Sequence, residues 1–233
     1  IVYYRAGYHP DDFPSETQWN AKIMIEQSFA IKCPCISYHL TGCKKMQQVL
    51  AKALDTNHPT KASLLESRFS MSREECLLMK SVFAGLYSLE ISSNEHENEK
   101  LRKLKSDVQK NPYNYVMKPQ REGGGNNIYN DDICTALDTY SQHELNAYII
   151  MDRIIPPTQN CVLVRENEIL QVNNCICELG VYGIYMNTLK CDNSVAAASN
   201  AFGGYLLRLK PNTVDEGGVA AGYGVLGVVE LVK

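Results

Sequence analysis

The chain has 233 residues, 45% of them hydrophobic and 21% charged, enough apolar mass to exclude a disordered segment or a small disulfide-stapled scaffold. Lys and Arg number 23 against 26 Asp and Glu, a net charge of -3, so no overall positive field recruits nucleic acid or anionic lipid. The most apolar stretches, 147–157 and 218–232, are broken by Asp152 and Arg153 or by glycines, and neither reaches the roughly 20 apolar residues of a membrane helix.

Residues 1–5 read as the middle of a strand, with no initiator Met or leader pattern before them, so an N-terminal part is expected to be missing. Ser15-Glu16-Thr17-Gln18 has the spacing of a capping box and predicts a helix over 16–31, ended by Pro34. A second short helix is predicted over Lys45–Leu54. Another capping box, Ser72 to Glu75, opens a third that runs through Cys76, Met79 and Val82. Between Ser92 and Lys110 charges of both signs alternate, the pattern of a solvated loop and helix rather than a binding tail.

From Tyr113 the texture changes. Residues 113–118 read as a strand and 131–140 as a helix opened by two aspartates; 147–154, 161–164, 169–179 and 181–186 read as further strands. The fold class is therefore α/β (α+β) with antiparallel character.

Nine cysteines are an odd number without a framework spacing. Cys33/Cys35 and Cys175/Cys177 are each separated by one residue, whereas structural zinc prefers two to four. Cys161, Cys175 and Cys177 read as small hydrophobes on strands. The five histidines are scattered over expected loops and helix ends and no G-x-S-x-G elbow occurs, which argues against a Ser/His or Cys/His hydrolase.

Glycine is unevenly spread: eight of fifteen lie in 123–125 and 217–227. In the first cluster, Lys118-Pro119-Gln120-Arg121-Glu122-Gly123-Gly124-Gly125-Asn126-Asn127 follows a strand and precedes an acidic-capped helix. Three glycines let several amide N–H groups approach one anion, Lys118 supplies a cation, and Glu122 offers a hard oxygen for Mg²⁺. This reads as a phosphate cradle, although it matches neither the Walker nor the dinucleotide pattern. In the second cluster, Asp215–Gly222 follows Arg208 and Lys210; the arginine fork suits a carboxylate, and the small-residue loop is suited to closing over a ligand.

Together these stretches resemble the eukaryotic glutathione synthetases of the ATP-grasp superfamily. The blocks that carry the resemblance are VYYRAGY (2–8), AIKCP (30–34), GCKKMQQ (42–48), FAGLYSL (83–89), KPQREGGGNNIY (118–129), AYIIMDRI (147–154), CICELGVYG (175–183), LLRLK (206–210) and EGGVAAG (216–222). The resemblance implies an ATP-grasp fold and an ATP- and Mg²⁺-dependent ligase that joins γ-glutamylcysteine to glycine through an acyl phosphate. That chemistry needs cations and alignment rather than a side-chain nucleophile. It also implies three regions: 1–80 in a main substrate-binding and helical domain, 81–160 a lid region with the glycine-rich loop, and 161–233 a central antiparallel sheet with the alanine-rich loop.

Carried over by resemblance, Lys44 and Lys118 contact ATP, Gly123, Gly124, Gly125, Asn126, Asn127 and Tyr129 form the loop over its phosphates, and Glu122 is a magnesium ligand. Met151, Asp152, Arg153 and Ile154 match the adenine-reading linker, and Glu178, Lys210 and Glu216 match further nucleotide positions. Arg5, Ala6, Gly7 and Tyr8 face the γ-glutamylcysteine side, Arg208 the substrate carboxylate, and Val219 with Ala220 the peptide. Arg208, Lys118 and Lys210 are the candidate catalytic groups. The family is roughly twice this long, so its N-terminal half is an expected partner. A homodimer is compatible, with its contact largely in that part. The expected location is cytoplasmic. Ala6, Asp152-Arg153 and several extra cysteines depart from the family pattern, and they keep open a secreted or regulatory paralogue, or a ligase with a different donor or acceptor amine.

Overall fold

Strand β1 covers only Val2–Tyr3 and pairs in parallel with β2, Lys32–Cys33. Between them lies α1, Glu16–Gln27, shorter than its predicted run to residue 31 because Ser28 turns extended and its N–H closes on the Ile25 carbonyl. The expected capping box there is incomplete: the Ser15 hydroxyl donates to the Gln18 side-chain oxygen and caps no N–H. Helices α2 (Ile36–Thr41), α3 (Lys44–Ala53), α4 (Leu64–Phe69) and α5 (Arg73–Ser81) follow. The box at α5 is complete, Ser72 donating its N–H to Glu75 Oε2 at 2.8 Å and accepting the Glu75 N–H at 3.2 Å.

Strand β3 (Leu86–Ser88), α6 (Glu95–Lys110), β4 (Tyr115–Pro119), β5 (Ile128–Tyr129), α7 (Asp131–Thr139), α8 (Gln142–Leu145) and β6 (Tyr148–Asp152) complete the first of two compact units, Ile1–Ile154. The structure, a computed structural model, describes residues 1–53, 64–120, 125–165, 167–189, 195–219, 222 and 224–228.

Strands β3-β6-β4-β5 form an antiparallel sheet. Leu101 and Val108 of α6, Ile133 and Leu137 of α7, and Leu145 of α8 bury against Met117 and Ile150 of that sheet. The charged remainder of α6 is solvated and laced by ion pairs, Arg102 to Glu95 at 2.6 Å and Lys100 to Glu97 at 3.4 Å, as its alternating signs predict.

The second unit, Ile155–Lys233, is an antiparallel sheet ordered β10-β9-β8-β7. Its strands are β7 (Thr158–Arg165), β8 (Glu168–Leu189), β9 (Val195–Pro211) and β10 (Val225–Gly227). The two strands predicted over 169–179 and 181–186 are one: pairing with β9 carries β8 through Gly180 and Gly183, with an irregularity between Tyr182 and Gly183. The mixture of helices and antiparallel sheets agrees with the expected class.

Candidate functional site

On β4 and β6, Met117 lies opposite Ile150 and Val116 opposite Met151. Because side chains alternate, Tyr115, Met117, Tyr148 and Ile150 share the face packed by α6 and α7. Val116, Lys118, Ile149 and Met151 share the other, joined by Tyr129 opposite Val116 on β5. Helix α3, which begins with Lys44, lies against β3 and β6.

A side chain given no role by the sequence reading joins these parts. Gln120 fixes its own N–H to the Ala147 carbonyl at 3.1 Å and accepts the Lys45 N–H on Oε1 at 2.7 Å. The Lys45 ammonium is spent on Ser88 Oγ at 3.0 Å and Glu90 Oε2 at 2.5 Å. The first turn of α3 is thus pinned to the end of β4, and the elements carrying Lys44 and Lys118 are held together. The available signal was the position of Gln120 two residues after Lys118, but a glutamine at a strand end carries no pattern of its own.

At the other end of the sheet the Asp152 carboxylate accepts the Gly85 N–H at 3.1 Å and the Tyr87 hydroxyl at 3.3 Å, while the Asp152 N–H donates to the Gly85 carbonyl at 2.9 Å. Burial, then the charge and hydrogen bond of Asp152, push the Tyr87 phenol up to about 12. Arg153 donates its N–H to the Asn114 carbonyl at 2.8 Å and Nη1 to Asn130 Oδ1 at 3.0 Å, with its guanidinium 5.7 Å from the Tyr129 ring centroid. Ile154 is exposed. The Asn127 amide donates to the Tyr129 hydroxyl at 3.1 Å, Asn126 is half-buried beside it, and Gly125 takes the left-handed φ of 85° that favours glycine. Glu122, Gly123 and Gly124 lie outside the described residues.

The segment Arg5–Tyr8 closes on Asp12, whose Oδ2 accepts the N–H groups of Gly7, Tyr8 and His9 at 3.1, 3.0 and 3.2 Å. Those bonds, the His9 N–H foremost, hold the Asp12 carboxyl below its ordinary value. Arg5 and Ala6 are exposed, whereas Tyr8 is half-buried and donates its hydroxyl to the Tyr4 carbonyl at 2.7 Å. Gly7 and Tyr8 line a cavity of about 230 Å³ with Trp19, Lys22, Cys43 and Gln120, so the predicted donor segment reaches the residue that ties Lys44 to Lys118.

In the second unit, register places Glu178 opposite Arg208, and the arginine Nη2 binds Glu178 Oε1. Lys210, two residues on, donates its ammonium to the carbonyls of Val214 and Asp215, both at 2.7 Å. It thereby shapes the turn that leads to half-buried Glu216. Gly217 comes close to Glu178 and Gly224 close to the Leu209 carbonyl, and Val219 accepts the Gly222 N–H at 3.0 Å. Glu178, Arg208 and Lys210 are brought together by the sheet; Ala220 lies outside the described residues. Among the described residues no group of three or more His, Cys, Asp or Glu could hold a metal ion, and no helix is long and apolar enough to cross a membrane.

Comparison with known proteins gives a consistent result. Residues 7–231 match the family described as "Eukaryotic glutathione synthase, ATP binding domain". The chain is 45% identical to "Glutathione synthetase, chloroplastic" of Arabidopsis thaliana, covering 100% of this chain and 39% of the relative. It is 41% identical to "Glutathione synthetase" of Dictyostelium discoideum and 38% to that of Mus musculus, each covering 97% of this chain and 44% of the relative. The chain spans about two fifths of the length of these curated relatives. A solved glutathione synthetase-like effector from Globodera pallida, in its apo form, aligns with a TM-score of 0.55 at 20% identity over 89% of this chain and 38% of that one, a likeness of fold.

Proposed function

The chain belongs to the eukaryotic glutathione synthetases, whose ATP-binding domain it carries, and from that premise we propose that it supplies the nucleotide half of a ligase joining γ-glutamylcysteine to glycine. The observation that carries the reading is the sheet face bearing Lys118, Met151 and Tyr129, with the start of α3 tied to it through Gln120. Two lysines held by one rigid sheet and helix start suit a polyphosphate, whose charge they neutralise without further movement.

In this reading Lys44 and Lys118 bind the ATP phosphates beneath the loop of Gly123–Asn127 and Tyr129, and Met151–Ile154 border the adenine. Glu178, Lys210 and Glu216 are the further nucleotide-binding positions that the resemblance assigns. The donor carboxylate attacks the terminal phosphorus, ADP leaves, and the glycine amine displaces phosphate from the acyl phosphate. Arg208 orients the substrate carboxylate with the guanidinium N–H groups that its Nη2 contact with Glu178 leaves over. Lys118 and Lys210 stabilise charge on the transferring phosphoryl group. Arg5, Ala6, Gly7 and Tyr8 face the donor, while Val219 and Ala220 cover the peptide and exclude water.

Mg²⁺ is normally held by one or two carboxylates together with substrate phosphates. Glu122, which lies outside the described residues, is the carboxylate assigned to it. When bound, the ion would supply neutralisation of phosphate charge.

Calorimetric titration of the chain with ATP and Mg²⁺ tests the nucleotide half. A ligase assay with the remainder of a synthetase, γ-glutamylcysteine and glycine, reading glutathione and ADP, tests the reaction. Absence of nucleotide binding by the folded chain would refute the assignment.

A further inference from the structure

Lys22, on α1, is the one charged side chain among the described residues that is buried, at 9% exposure. Its ammonium lies 3.5 Å from the centroid of the Tyr4 ring, and among the described residues no carboxylate pairs with it. A cation–π contact is worth about 0.5–2 kcal/mol, less than the several kcal/mol that taking an ammonium out of water costs, and it gives the ammonium N–H groups no acceptor.

Lys22 lines the cavity of about 230 Å³ already described in the first unit, and so does Gln120, whose amide nitrogen is buried without a hydrogen-bond partner. Two hydrogen-bond donors, one of them cationic, thus border one cavity. No Asp or Glu lines it. Most of the remaining wall is apolar: Phe13 stacks on Trp19 with 4.6 Å between ring centroids, and Ile36 and Leu40 add aliphatic surface. Pockets for drug-sized ligands begin at roughly 300 Å³, so the occupant that fits here is smaller.

We infer that this cavity is a binding site for a small organic carboxylate with an aromatic or branched apolar body. The carboxylate oxygens accept from the Lys22 ammonium and the Gln120 amide while the body lies against Phe13 and Trp19. An inorganic anion would leave the apolar wall uncovered, and a neutral apolar molecule would leave the ammonium without an opposite charge. γ-Glutamylcysteine is a poor occupant, because its own ammonium would enter a cavity that holds a cation and no acid. The assignment is independent of the nucleotide reading, which places ATP on Lys44 and Lys118.

Trp19 is the only tryptophan of the sequence and forms part of the wall, so its fluorescence reports occupancy. Titration of the chain with benzoate should give a saturable change with a Kd below about 1 mM, at least about tenfold tighter than for benzamide, its neutral isostere, or for inorganic phosphate. Lys22→Met should weaken benzoate at least about tenfold and leave benzamide unchanged. Replacing a buried, unpaired charge by an apolar side chain of similar length should not unfold the chain; circular dichroism checks this, and the comparison of benzoate with benzamide needs no variant. Absence of a saturable response, equal affinities for benzoate and either comparison compound, or displacement of benzoate by γ-glutamylcysteine overturns the assignment. So does loss of the benzoate response in a complex with the remainder of a synthetase, which would mean that residues from that part fill the cavity. ATP titration of the same samples reads the nucleotide site separately: ATP binding without benzoate binding sinks only this cavity, and the reverse result sinks only the nucleotide assignment.

Discussion

The main-chain N–H of Lys45 donates to the side-chain oxygen of Gln120 at 2.7 Å, across 75 residues of sequence, and this bond holds the start of α3 to the end of β4. Gln120 acts through the elements that carry Lys44 and Lys118. Its amide nitrogen is buried without a hydrogen-bond partner, so the oxygen is the half of the side chain that fastens the structure. Gln120→Met keeps the volume and removes the acceptor, leaving the Lys45 N–H unpaired at a cost of about 1–3 kcal/mol. We expect a melting temperature a few degrees lower and ATP binding weakened roughly three- to tenfold. If Gln120→Ala weakens binding and Gln120→Met does not, packing rather than the hydrogen bond positions the lysines.

Lys118 stands on the central strand β4, opposite Ile149 and next to fully buried Met117. Its backbone is thus among the most rigid in the unit, and a charge placed there needs little reorganisation to meet a phosphate. Lys118→Ala should raise the Kd for ATP by roughly 10- to 100-fold, the equivalent of about 1.5–3 kcal/mol for a hydrogen bond to a charged group. The fold should survive, because the half-buried side chain does not belong to the apolar cluster. Unchanged ATP affinity in the folded variant would remove Lys118 from the site.

Some of this was legible in the sequence and some was not, for identifiable reasons. The α5 and α7 starts were readable because their signals are local: Ser72 with Glu75 three residues on, and two aspartates at the positive end of a helix. The box at Ser15 has the same spacing, yet its hydroxyl donates to Gln18 instead of capping, a choice that spacing cannot determine. The unity of β8 was hidden by Gly180 and Gly183, which read as breaks and are carried through by pairing with β9. Lys44 and Lys118 are proposed from motif blocks, whereas Gln120 and Asp12 act through contacts with main-chain N–H groups that leave no periodic trace.

Gly85 offers a steric and a pH prediction together. A Cβ added there would fall on the Asp152 carboxylate and the Tyr87 hydroxyl. Gly85→Ala must displace both groups or the β3 backbone, and we expect a loss of about 1–3 kcal/mol in thermal or urea unfolding. In the native protein Tyr87 titrates near 12, against an ordinary value of 10. Below pH 10 both folded and unfolded states keep this proton. Between pH 10 and 12 the unfolded chain releases it while the folded chain retains it, so this contribution to stability is lost as pH rises through that window. The absorbance titration difference between the native chain and Tyr87→Phe should show one phenol near pH 12, moving toward 10 in Asp152→Asn. A Tyr87 midpoint already near 10 in the native chain would contradict both its burial and the Asp152 contact.

Cys161 gives the opposite behaviour to an exposed thiol within the same molecule. Its sulfur lies 3.9 Å from that of Cys177, which also accepts the Gln159 amide at 2.6 Å, and burial followed by hydrogen bonding with Cys177 and Cys175 pushes the Cys161 thiol up to about 12. Alkylation proceeds through the thiolate. At pH 8 roughly one such thiol in ten thousand is ionised, against about one in four for an ordinary cysteine. Cys161 should therefore react with iodoacetamide at least about a hundredfold more slowly than exposed Cys33, and Cys177→Ser should speed it by removing one of its thiol partners. Peptide-level labelling over a time course at pH 8 measures both rates in one sample. Equal rates for Cys33 and Cys161 would mean that the three thiols do not converge between β7 and β8. A slow Cys161 unaffected by Cys177→Ser would leave burial and Cys175 as the cause.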